Sequence, residues 1–193
     1  MCNKQAVGGV THLGCKRKLG LDGLMSLCSY KGLVKLGIKG LKYEFLRDME
    51  KELTVLIESR MEVRKRERQN RRWKLFLGKK PVVIGVPLYW RRQNWRGFNQ
   101  AEVIGTIVVK KWRLKMIIKG IKRVKATKAQ VKLKKEQRKL NVKGAFEVNK
   151  NVDLGKRVLL IDDVWTTGET MREIGRQLKR VGVEEVWGLT LAR

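Results

Sequence analysis

The chain predicts an α/β fold, a parallel sheet flanked by helices on both faces. Three observations carry that prediction. Val82–Val86, Val158–Ile161 and Val186–Leu191 are short β-branched or aliphatic runs, the pattern of buried strands. Stretches with helical apolar spacing lie between them. Polar, chemistry-bearing residues gather just after two of these strands, where ligands of such sheets bind.

The elements follow in chain order. Met1 to Leu19 is rich in Gly, Cys and Lys with no helical period, and reads as a small knob with turns at Gly8-Gly9 and Gly14. Leu24 to Tyr30 alternates in part, as a strand does, and Cys28 within it reads as a buried thiol. Val34, Ile38 and Leu41 fall at i, i+4 and i+7, which predicts a helix over Lys31–Tyr43 with a basic outer face. Phe45, Met49, Leu53 and Leu56 extend a second helical pattern. An Arg-rich continuation or exposed connection to Lys74 follows, anchored by Trp73, Leu75, Phe76 and Leu77.

Pro87 ends the strand at Val82–Val86. Val103, Ile104, Ile107 and Val108 predict a helix over Asn99–Trp112, with Asn99 as its N-cap. Met116–Val124 reads as a strand and Ala129–Leu140 as a basic helix. After Val158–Ile161, Ile174, Leu178 and Val181 place an apolar stripe on a further helix, closed by Gly182. No internal repeat or low-complexity linker interrupts the order.

The 193 residues suffice for one domain and a small appendage. No apolar run reaches membrane-span length, and no signal-peptide core is present at the N-terminus, so a cytoplasmic protein without membrane insertion is expected. In that compartment the cysteines are not expected to form disulfides. Forty-six Lys and Arg oppose eighteen Asp and Glu, giving +28. Arg60–Lys74 holds eight basic residues against two acidic ones. Lys110–Lys139 holds fourteen against Glu136 alone. Such tracts either bind a polyanion, DNA or RNA, or form solvated faces with some residues serving a pyrophosphate-bearing substrate.

The segment VLLIDDVWTTGET, Val158 to Thr170, carries the most chemistry. A strand ends in Asp162 and Asp163. Val164 and Trp165 lead into Thr166, Thr167, Gly168, Glu169 and Thr170 at a helix start. Carboxylates accept hydrogen bonds from sugar hydroxyls. Loop amides, threonine hydroxyls and the positive end of a helix dipole suit a phosphate. A second segment, RRQNWRGFNQAE, begins at Arg91. Arg91, Arg92 and Arg96 belong to a loop leading to Asn99 and Gln100 at a helix start, an arrangement suited to anions or equally to an exposed arginine turn.

The first segment resembles the 5-phosphoribosyl-1-pyrophosphate (PRPP) motif of type I phosphoribosyltransferases. That motif has an apolar strand, two acids, two variable positions and Thr-Thr-Gly-x-Thr. RGFNQ is similar to the signature of ComF-type competence proteins, phosphoribosyltransferase-like proteins linked to bacterial DNA uptake. Arg123, Thr127, Gln130, Arg138, Asn141, Gly144, Ala145 and Phe146 resemble a third ComF pattern, and Leu189–Arg193 ends as many ComF proteins do.

The resemblance implies a type I phosphoribosyltransferase-like sheet over residues 21–193 and a zinc knob over residues 1–20. It implies that Asp162 and Asp163 hold ribose hydroxyls and act as the catalytic carboxylates. Val164 and Thr166 to Thr170 would hold the 5′-phosphate, with Mg²⁺ accompanying PRPP. Arg91, Arg92, Arg96, Asn99, Gln100, Arg123, Thr127, Gln130 and Arg138 become pyrophosphate or loop candidates. The stretch from Arg123 to Phe146 would correspond to a hood over the ligand.

The knob is incomplete. Cys2, His12 and Cys15 supply three ligands where a structural Zn²⁺ site takes four. The fourth would lie just before Met1, come from water or a neighbouring chain, or have been lost. The expected partners are PRPP or a nucleotide-like ligand, single-stranded DNA and a competence helicase; an oligomer is compatible with the sequence. Three functions stay open: a PRPP-dependent transferase, a nucleic-acid-binding competence factor, and a PRPP or nucleotide sensor.

Overall fold

Strongly β-branched and aliphatic runs become the central strands of one parallel sheet. The computed structural model describes residues 10–11, 20–43, 50–66, 70–125 and 141–193. Strand β1 is Gly23–Cys28, β2 Val82–Gly85, β5 Arg157–Val164 and β6 Glu185–Ala192. Their order is β1-β6-β5-β2, with every pairing parallel. Beyond β2 the sheet is extended by a parallel bridge from Val83 to Met116. There the Val83 amide donates to the Lys115 carbonyl at 2.8 Å, and the Ile117 amide to the Val83 carbonyl at 2.9 Å.

The strand pleat divides the core into two layers. On one face Val83, Leu159, Ile161, Trp187, Leu189 and Leu191 pack under three helices. These are α2 (Glu50–Arg66), α3 (Arg71–Gly78) and α5 (Gln100–Trp112). Trp73 and Phe76 of α3 each lie 5.5 Å from the Trp187 ring, centroid to centroid. Gly23 makes room for that indole: a Cβ there would sit 2.4 Å from its ring. Helix α1 (Gly32–Tyr43) joins this layer through Ile38. On the other face Ile84, Val158, Leu160 and Val186 meet Met171, Ile174 and Leu178 of α6 (Glu169–Arg180).

Two parts of the Met116–Val124 stretch separate. Met116 joins the main sheet, whereas β3 (Ile121–Arg123) pairs antiparallel with β4 (Phe146–Val148) in a second, two-stranded sheet. The bend lies at Gly120, where a Cβ would meet the Leu154 side chain at 2.9 Å. Arg123 pairs with Phe146, so the stretch between them leaves and returns at one place. The predicted helix at Ala129–Leu140 and the residues Phe45 and Met49 lie outside the described residues.

The Arg-rich continuation after α2 is a separate helix, α3. Val181 lies just past α6, half exposed, and does not belong to its apolar stripe. Of the N-terminal knob only Val10 and Thr11 are described; Val10 bridges to Gly23, and the Thr11 amide donates to the Asp22 carbonyl at 2.8 Å. Among the described residues no helix is long and apolar enough to cross a membrane.

The connections fix where a ligand can sit. From β2 the chain passes through α5 to Met116 on one side; from β5 it passes through α6 to β6 on the other. Strand order therefore reverses between β2 and β5. Loops that diverge at such a point leave a crevice beyond the strands' carboxyl ends.

Candidate functional site

Strand β5 runs further than its apolar run. Asp162, Asp163 and Val164 continue it, with Asp162 opposite Thr190 and Val164 opposite Ala192. Both carboxylates are half-buried, and the Asp162 Oδ1 accepts the Asp163 amide at 2.9 Å. The Trp165 amide then donates to the Ala192 carbonyl at 2.9 Å, which fastens the exit of β5 to the end of β6.

The turn into α6 needs glycine for two reasons. Gly168, its N-cap, has φ 73°, and a Cβ there would lie 2.2 Å from the Trp165 indole. The Arg172 amide donates to the Gly168 carbonyl at 2.9 Å to close the first helical turn. Above this turn Thr166 is exposed and Thr170 half-buried. Thr167 differs: its Oγ1 is buried and has no hydrogen-bond partner among the described residues. A buried hydroxyl left so costs stability unless a ligand satisfies it.

Glu169 turns inward. Its carboxylate pairs with Arg172 Nη1 at 2.9 Å, and both residues are buried. The Arg172 guanidinium stands 5.2 Å over the Trp165 ring. Burial pulls the Arg172 pKa below its ordinary value, and Glu169 opposes that shift. The pair is neutral as a unit, so the positive end of the α6 dipole is left to attract an anion. Glu169 thus reaches the loop's ligand face through its backbone, not its carboxylate.

Across the crevice, the Val86 amide donates to the Ile161 carbonyl at 2.8 Å, carrying the β2–β5 pairing to the loop's edge. The segment expected as an arginine loop contains a two-turn helix, α4 (Trp90–Arg96), ended by Gly97 at φ 75°. Asn99 is the N-cap of α5, as the sequence predicts. Its Oδ1 accepts the Ala101 amide at 3.1 Å, while its Nδ2 donates to the Val86 carbonyl at 3.1 Å and to Glu102 Oε1 at 3.2 Å. Arg96 Nη1 donates to Gln100 Oε1 at 3.3 Å. Burial pushes the Glu102 carboxyl above its ordinary value, opposed by the Asn99 hydrogen bond.

Arg96, Asn99 and Gln100 therefore come together, joined by Glu102. Arg91 is exposed and lies against Trp90, with 5.2 Å from guanidinium to ring centroid. Arg123 sits at the base of the small sheet, its guanidinium 5.5 Å over Phe146. Thr127, Gln130, Arg138, Cys2, His12 and Cys15 lie outside the described residues, as does the Arg92 side chain. Among the described residues no cluster of three or more His, Cys, Asp or Glu could hold a metal. Sequence reasoning missed Glu102 and Arg172. An Asn-x-x-Glu capping pattern signals the first, and i, i+3 spacing from Glu169 the second.

Residues 102–193 match the family described as Phosphoribosyl transferase domain. The match gives these residues, which include β5, α6 and β6, a phosphoribosyltransferase-like domain. Its curated relatives narrow the class. The chain is 43% identical to Competence protein F of Haemophilus influenzae over 115 residues, 58% of this chain and 50% of that protein. It is 36% identical to DNA utilization protein YhgH of Escherichia coli K12 over 110 residues, 55% of this chain and 48% of that one. Competence protein ComFC of Streptococcus pneumoniae is 29% identical over 110 residues, 57% of this chain and 47% of its own. These relatives, named for competence and for DNA utilization, are what the chain is similar to. It spans about half the length of the curated relatives it matches. No solved structure matches it.

Proposed function

We propose that the β5–α6 loop binds PRPP, or another ribose 5-phosphate group, in a cytoplasmic protein that serves DNA uptake in natural competence. The observation that carries this reading is the buried Thr167 Oγ1, without a hydrogen-bond partner among the described residues, in a loop that opens a helix. The competence role rests on what the relatives' names say of those proteins.

Each group has a role in this reading. Asp162 and Asp163 accept hydrogen bonds from the ribose hydroxyls. The Thr166–Thr170 amides and the threonine hydroxyls hold the 5′-phosphate. Asp162 and Asp163 are the residues that would hold an Mg²⁺ accompanying PRPP, which would supply neutralisation of the pyrophosphate charge. Two carboxylates fit such an ion, which takes most of its oxygens from substrate and water. Arg96, brought beside Asn99 and Gln100, is the arginine proposed to meet the pyrophosphate. If transfer follows, the Asp162–Asp163 charges stabilise positive character developing at C1 of the sugar. The basic tracts would meet single-stranded DNA delivered with a partner helicase.

Calorimetric titration of PRPP with Mg²⁺ tests the ligand. The parent protein is expected to give binding heat, and Asp162→Asn/Asp163→Asn to weaken affinity about a hundredfold, from the loss of two charge-assisted hydrogen bonds. No heat with the parent, or equal affinity in the variant, overturns the reading. Pyrophosphate release with a panel of nucleobases then separates a transferase from a sensor.

A further inference from the structure

We propose that α4 is a contact surface for single-stranded DNA, with bases stacking on Trp90 and Trp95 and Arg91 meeting the phosphate backbone. This rests on the DNA-handling part of the function proposed above and gives it a place on the molecule.

The tryptophans are divided sharply. Trp73 and Trp187 are buried in the core, and Trp112 and Trp165 are half-buried against it. Trp90 and Trp95 are 55% and 71% exposed, five residues apart on one short helix. Two large aromatics this exposed on one short helix form a surface that a partner can cover.

Three features state what that partner is. First, the Arg91 guanidinium lies 5.2 Å over the Trp90 ring, and Tyr89 packs against that ring at 5.8 Å, centroid to centroid. These contacts hold the Trp90 indole in place while 55% of the residue stays exposed, open to a stacking base. Second, no acidic residue occurs from Pro81 to Ala101, while Arg91, Arg92 and Arg96 do, in a chain of net charge +28. A polyanion is the complementary ligand. Third, the platform is a closed helical segment joined to α5 at its C-terminal end. The Gln93 amide donates to the Tyr89 carbonyl at 3.1 Å, the Gly97 amide to the Gln93 carbonyl at 2.8 Å, and Arg96 to Gln100 at 3.3 Å.

Single strands fit better than the alternatives. A duplex offers phosphates but keeps its base faces stacked inside, leaving the indoles unused. A membrane-seeking helix places aliphatic side chains beside its tryptophans; the exposed neighbours here are Gln93 and Asn94, whose amides suit base edges. The exposed aliphatic residues Leu33 and Leu36 belong to α1.

Fluorescence anisotropy with labelled oligothymidylate at several salt concentrations tests the proposal on the full chain. Trp90→Ala and Trp95→Ala should each weaken binding roughly tenfold with the salt slope unchanged, because stacking releases no counterion. Trp90→Phe/Trp95→Phe should recover most of the affinity. Arg91→Gln should lower the slope by about 0.7, the value of one single-strand phosphate contact. Urea denaturation of Trp90→Ala/Trp95→Ala should give the parent's midpoint, confirming an intact fold. If the parent binds the oligonucleotide and the tryptophan variants bind equally well, this surface is wrong while the DNA-handling reading stands. If the parent fails to bind at low salt, both fall. If the variants lose binding to phosphatidylglycerol vesicles but not to the oligonucleotide, the surface serves a membrane and the proposal is overturned.

Discussion

The β5–α6 loop and the β2–α5 segment share the carboxyl edge of one sheet, yet they are built in opposite ways. In the first, side-chain charge is turned inward: Glu169 and Arg172 neutralise each other against Trp165, which leaves the loop's amides and hydroxyls as the groups proposed to hold a ligand. In the second, the backbone is closed off by Asn99 and Gly97, and side chains face outward, with Trp90, Trp95 and Arg91 exposed. A small phosphate is best held by fixed amides, which need a rigid turn and a neutral floor. A long, variable polyanion is best met by side chains on a tethered platform. The difference is the one that the two proposed ligands, a small phosphate and a long polyanion, would each require.

The largest test of the contrast is the buried pair. Arg172→Met strands the Glu169 carboxylate and should cost about 3–5 kcal/mol in urea denaturation, with Glu169→Gln/Arg172→Met recovering most of it. Arg91→Gln, removing an exposed arginine of the other segment, should change stability by less than about 0.5 kcal/mol. Equal costs would erase the distinction between an inward and an outward segment.

A smaller test uses pH. Burial would raise Glu173 of α6, but hydrogen bonds from Arg176, the Gly144 amide and Gln177 outweigh it, and its pKa lies below the ordinary 4.5. Its stabilisation is therefore present above that value and lost as pH falls through the depressed one. Glu102 lies above its ordinary value, chiefly through burial, so its contribution has the other sign. It is present at low pH and lost as pH rises through the raised value. At neutral pH Glu173→Gln should melt below the parent and Glu102→Gln at or above it. Both differences should shrink in acid. Parallel behaviour of the two variants would contradict the assigned environments.

Strands β2, β5 and β6, the Asn99 cap and the helix end near Gly182 were legible because each depends on local pattern. The β5–α6 turn was legible as a motif, since its spacing is fixed by a strand, a turn and a helix start. Helix α4 was not: two exposed turns carry no apolar period. Met116–Val124 was misread as one strand because the bend at Gly120 is set by Leu154, more than thirty residues away. The inward turn of Glu169 was hidden for a similar reason. Its partner Arg172 is near in sequence, but its burial depends on Trp165 and the sheet beneath.

The Thr167 hydroxyl carries the central claim, and Thr167→Val tests it with a nearly isosteric change. If the buried Oγ1 awaits a phosphate oxygen, the variant should be stabilised by about 1 kcal/mol in the absence of ligand and should bind PRPP with Mg²⁺ roughly tenfold more weakly. A variant that melts lower than the parent and binds PRPP equally well would show that the hydroxyl serves the fold, and the account would fail.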